Sequence, residues 1–200
     1  MSAGADPPPG LPLPFWSSLK ADLVAHVPPE RRSMSRSAWA LAGLGVAARS
    51  SGFHVTFSYR AAHALRPRLG PLGRAASSLI FWWVRHAYAC AIAPTSRLHG
   101  GLILPHPQGI VVGGDAEVGP RCWIYHNVTL GGTVGRAGCP RVGADSRIFA
   151  GAVLVGPIVL GHGVMVGANV VVTRDVPDRC FVRPAPPTVA PISPPSEESP

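Results

Sequence analysis

The chain has almost no lysine: seventeen of its eighteen basic residues are arginine, and Lys20 stands alone. Against ten Asp and Glu this leaves a formal net charge of +8 over 200 residues. No run of basic residues is interleaved with aromatics, so the excess reads as a scattered basic surface. A nucleic-acid partner is not expected, while an anionic small molecule still fits. The four cysteines, Cys90, Cys122, Cys139 and Cys180, form no CxxC pair, and no secretory signal precedes them. Disulfides and a bound metal are therefore not expected, and a reducing cytoplasm is the default setting. Long uncharged apolar runs are also missing. The nearest candidate, residues 75–93, carries Arg85 and His86 in its middle. A spanning helix tolerates that poorly, so this segment reads as a buried or docking helix with no membrane partner.

What the chain has in quantity is glycine and proline, 23 of each. Residues 1–14 and 184–200 are Pro-rich and cannot build a core, so both read as tails. Residues 15–90 read as an α-helical domain, broken at Pro28-Pro29 and again between Pro67 and Gly73. "SAWALAGLGVAARS" and "FHVTFSYRAAHAL" have helical apolar spacing, although "HVTFSY" alone resembles a strand.

From residue 91 to 183 a different rhythm holds. A small or aliphatic residue returns every sixth position: Ile92, Leu98, Leu104, Ile110, Ala116, Cys122 and Val128. After a gap at 134–141 the series resumes with Val142, Ile148, Leu154, Leu160, Val166 and Val172. Neither a helical nor a simple strand period gives a sixfold return. A coil with three flat faces does, each face a very short strand with its aliphatic residue turned toward the axis. Stacked coils then bond through their backbones at strand spacing. On a column with smooth sides, the interruption at 134–141 is where a loop can leave and build a cleft.

Five segments in order, "GFHVTFSYRAAHAL", "LPHPQGIVVGGDAEVG", "VTLGGT", "CPRVG" and "GANVVVTRDVP", resemble the serine acetyltransferase family, over roughly residues 18–189. The resemblance implies an N-terminal helical domain followed by a left-handed parallel β-helix of hexapeptide repeats with one loop extruded at 134–141. It implies a homotrimer, with helical domains that pair trimers in some members, and acetyl-CoA or another acyl-CoA bound between columns. His106 stands where the family keeps its general base. Gly131, Gly132, Thr133, Ala150 and Ala168 match small residues along the donor, and Arg174 is the nearest cation to replace a family lysine that is Met165 here. Glu30 falls near the helical-domain acid that helps bind serine. Elsewhere the pattern departs: the acid fifteen residues before the base is Ala91, and the acid directly before it is Pro105. The loop's Arg-His pair is Gly138-Cys139, with Arg136 two residues earlier as a carboxylate partner.

His126 and Cys139 remain candidates for the cleft, each weighed against an ordinary packing role. A thiolate at Cys139 would permit covalent acyl transfer. The leading expectation is an acyl-CoA-dependent O-acetyltransferase acting on serine or a related small hydroxyl compound. Beside it stand an acyltransferase for a sugar or secondary-metabolite hydroxyl or amine, with CoA or an acyl carrier protein as donor, and a non-catalytic scaffold that has lost the supports of its base. The chain closes on "SEESP" rather than the isoleucine with which family members often hold a sulfhydrylase, so no such complex is expected.

Overall fold

The computed structural model describes residues 14–27 and 35–186. Four helices come first: α1 (Phe15–His26), α2 (Arg36–Arg49), α3 (Ser51–Arg68) and α4 (Gly70–Tyr88). The Ser50 hydroxyl caps α3 by accepting the Phe53 amide at 3.1 Å, which settles "HVTFSY" as helix. The expected break between Pro67 and Gly73 shrinks to Leu69, with Pro71 in the first turn of α4 where its missing N–H costs nothing. The break at Pro28-Pro29 lies outside the described residues.

Thirteen strands of two or three residues follow. They are β1 (Ala91–Ile92), β2 (Arg97–Leu98), β3 (Val111–Val112), β4 (Glu117–Val118), β5 (Trp123–Ile124), β6 (Thr129–Gly131) and β7 (Arg141–Val142). The rest are β8 (Arg147–Ile148), β9 (Val153–Val155), β10 (Val159–Leu160), β11 (Met165–Val166), β12 (Val171–Val172) and β13 (Phe181–Val182). All pairings between named strands are parallel and form three sheets, the faces of a column of about five turns. Face A is β1-β3-β6-β9-β12, face B is β10-β7-β4-β2 and face C is β13-β11-β8-β5.

The register corrects the sixfold count in one respect. Val112 pairs with Leu130, eighteen residues on, as three hexads require, but Ile92 pairs with Val112, twenty residues on. The turn around Pro105–Gly109 therefore holds two extra residues. From there the count fell on Ile110, Ala116, Cys122 and Val128, each two positions before the strand's own inward residue. It survived because both positions are buried in every hexad: Cys122 with Ile124, Val128 with Leu130, Val164 with Val166. The second insertion follows β6, where Leu130 pairs with Leu154, twenty-four residues on. The eight skipped positions are thus two residues at one turn and six in the loop.

The helices are fastened to the first coil by buried polar groups. Asp22 of α1 has no exposed surface; its Oδ1 accepts the amides of Gly101 (2.8 Å) and Leu102 (3.0 Å), and its Oδ2 pairs with Arg60 Nε at 3.0 Å. Arg60 also donates to the carbonyls of Leu98 and His99. The Tyr59 hydroxyl donates to Ser96 O and accepts from Leu98 N, and burial raises its pKa. Every charge in this joint has a partner, as burial demands. Gly52 of α3 lets the helix lie directly on the Leu104 carbonyl, where a Cβ would collide. Among the described residues no helix is long and apolar enough to cross a membrane.

Candidate active site

Two edges of the column border face A. At the edge between faces C and A, the chain turns from Leu104 to β3 through Pro105–Gly109. His106 takes a left-handed backbone conformation (φ +54°), uncommon for a residue with a Cβ, and its side chain is exposed. The turn is closed by Gln108 N donating to His106 O at 2.7 Å. From below, the buried Cys90 thiol donates to Pro107 O at 2.9 Å, which sets the start of β1 against this turn. From above, Asn127 N donates to Gln108 O at 2.8 Å.

His126 occupies the same edge one coil further on. The two imidazoles meet edge to face, with centroids 6.4 Å apart and planes at 73°. His126 is half-buried; its Nδ1 is buried without a hydrogen-bond partner, and its carbonyl accepts Gly151 N at 3.0 Å. Asn169 N bonds to Ala150 O at 2.9 Å and continues the stack, so His106, His126, Ala150 and Ala168 run along one edge. Gly109 and Gly151 are matched by Asn127 and Asn169, whose side chains fill the space a Cβ would need.

The edge between faces A and B carries the loop. Thr133 and Arg136 form an antiparallel bridge around Val134-Gly135, with Val134 fully exposed. Gly131, Gly132 and Thr133 lead into it, and Arg174, exposed, lies on the same edge after β12. Cys139 faces the column: a Cβ on Gly113 would stand 2.6 Å from its sulfur. The thiol therefore sits in a notch that only glycine leaves open, and it anchors the loop's return. Gly113 alone opens that notch, since a Cβ on the neighbouring Gly114 would meet Thr95 instead. Gly138 (φ +107°) brings the loop against Pro157.

Within one chain, then, the sequence candidates divide. His106, His126, Ala150 and Ala168 share the C–A edge; Gly131, Gly132, Thr133, Arg136, Cys139 and Arg174 share the A–B edge. The width of face A separates them. Glu30 lies outside the described residues. Ala91 and Pro105 bring no carboxylate to His106, and the column's Glu117, Asp145, Asp175 and Asp178 are engaged elsewhere, with His99, Arg121, Val159 N and His162 N. The Arg121 guanidinium holds the Asp145 carboxyl below the usual range. No group of three His, Cys, Asp or Glu suited to a metal occurs among the described residues.

No family profile matches the chain. Individual proteins do. A serine acetyltransferase of Helicobacter pylori (strain ATCC 700392 / 26695) is 39% identical over 129 residues, covering 63% of this chain and 73% of that protein. The serine acetyltransferase of Mycobacterium tuberculosis is 38% identical over 152 residues, 74% of this chain and 65% of that one. Among solved structures, Neisseria gonorrhoeae serine acetyltransferase in complex with serine superposes with a TM-score of 0.69 at 30% identity, over 86% of this chain and 67% of that one.

Proposed function

Because the chain belongs to the serine acetyltransferase family, we propose that it transfers the acetyl group of acetyl-CoA to the hydroxyl of serine, with His106 as general base. Such membership makes it an acyltransferase. The observation that carries the assignment is an exposed imidazole on a widened turn, on an edge that continues with the small Ala150 and Ala168.

A serine hydroxyl keeps its proton at neutral pH and attacks a thioester poorly. An imidazole within hydrogen-bond reach takes that proton as the O–C bond forms, an effect of about 10²–10⁴-fold. When the C–S bond of the tetrahedral intermediate breaks, the imidazolium returns the proton to the departing sulfur. O-acetylserine and free CoA leave, and the base is neutral again.

The two edges stand apart in one chain, so the complete site joins the C–A edge of one column to the A–B edge of its neighbour in a homotrimer of left-handed columns. Face A supports that packing, because its outward residues Ala91, Val111, Thr129, Val153 and Val171 carry no charge and Val171 is 63% exposed. Gly131, Gly132, Thr133, Ala150 and Ala168 are small enough to admit the pantetheine arm, and Arg174 is the cation for its phosphates. Arg136 pairs with the serine carboxylate, and Glu30 with its ammonium. Four free thiols suit a cytoplasmic setting.

The test follows CoA thiol release with serine beside a panel of other amino-acid and sugar hydroxyls. Serine gives the highest kcat/KM, and His106→Ala lowers kcat by about 10²–10⁴-fold with the fold intact. Undiminished turnover in that variant removes His106 as base; preference for another acceptor removes serine.

A further inference from the structure

An exposed imidazole on a surface turn is a poor base unless something fixes its orientation, since a ring free to rotate spends little time aimed at the substrate. Ala91 and Pro105 offer His106 no hydrogen bond. The Cys90 thiol, beneath the same turn, is engaged with Pro107 O. The ring of His106 meets that of His126, edge to face at 6.4 Å.

We infer that His126 is the positioning residue of His106, resting on the assignment of His106 as base: its ring is a wall that holds the catalytic imidazole in one rotamer. The backbone of His126 is itself held, and its ring is half-buried. Its carbonyl is bonded to Gly151 N, the adjoining Asn127 N is bonded to Gln108 O, and its Nδ1 is closed off from solvent. The widened turn that projects His106 is the same feature that brings its ring to the next coil's edge. Aromatic pairs of this geometry restrain one another by amounts equivalent to roughly two- to tenfold in a population or a rate.

The effect therefore runs through kcat, and it vanishes when the base is gone. His126→Ala lowers kcat roughly three- to tenfold and leaves KM for serine and for acetyl-CoA unchanged. His126→Phe, which keeps a flat ring, retains most of the activity. His126→Leu fills the volume without a ring edge and loses it, so the test stands even where the alanine variant fails to fold. In a double-mutant cycle on His106→Ala, replacing His126 changes the residual rate no further. Unchanged kcat in His126→Leu overturns the inference. So does a rise in KM for acetyl-CoA at constant kcat, or an equal loss with and without His106. If His106→Ala itself keeps full turnover, the underlying assignment of the base has failed, which is a separate result.

Discussion

Cys122 lies two residues before Ile124 inside the column, and its thiol is directed at the Gly143 carbonyl 3.2 Å away. Burial pushes its pKa up to about 12, so the reactive thiolate is scarce at any working pH. Cys90, raised in the same direction by burial, spends its proton on Pro107 O. Cys139 and Cys180 are half-buried. Iodoacetamide applied to the native protein near pH 8 should therefore modify Cys180 first and Cys139, whose sulfur packs against Gly113, more slowly. Cys90 and Cys122 should be alkylated only at the rate at which the chain unfolds, with peptide mapping by mass spectrometry as the readout. Rapid native labelling of Cys122 would contradict its place in the core. At this scale the turn that projects His106 was legible in the sequence and the cysteine's orientation was not. "PHPQG" surrounds His106 with turn formers, whereas the partner of Cys139 is a missing side chain twenty-six residues earlier at Gly113.

The loop and the column meet through that missing side chain, which makes the contact testable as a pair. Gly113→Ala sets a methyl 2.6 Å from Cys139 Sγ and 3.3 Å from Leu130 O, so the loop must move or the strand must strain. Overpacking of this kind costs about 1–3 kcal/mol. Cys139→Ala removes the sulfur and leaves a small gap. Combined, the two substitutions should relieve one another, and the double variant should melt above Gly113→Ala alone; additive losses would show that the sulfur is not seated there. The strands themselves were readable as a rhythm, and their register was not. Two inward positions per hexad let the count continue unbroken on Ile110, Ala116, Cys122 and Val128 when the inward aliphatic had moved on to Val112, Val118, Ile124 and Leu130. Nothing in a sixfold repeat distinguishes a two-residue slip from regular continuation when both positions accept small or aliphatic residues. The slip matters because it is the turn that carries His106. The fastening of α1 and α3 was hidden for a different reason. Asp22 and Arg60 are thirty-eight residues apart in sequence, and their other partners are backbone groups, which no side-chain pattern records.

At the level of the whole molecule the decisive fact is that one column displays its imidazole and its loop on different edges. On the proposed trimeric reading a single chain holds two half-sites, and a ring of three columns would close three whole ones, each made from the C–A edge of one protomer and the A–B edge of the next. This arrangement has a consequence that no single variant can imitate. Take His106→Ala, which disables the C–A half, and Gly132→Phe, which blocks the A–B half with a bulky ring. Each alone should be nearly inactive. Co-expressed and allowed to assemble at random, they should regain about a quarter of wild-type sites, because a site is whole whenever an intact C–A edge meets an intact A–B edge. Mixing the two purified proteins after assembly should recover nothing until subunits exchange, and the recovery should follow the rate of exchange measured with tagged chains. Were both halves of a site supplied by the same protomer, every chain in the mixture would still carry one disabled half. Activity would then stay at the level of the separate variants however the chains were combined.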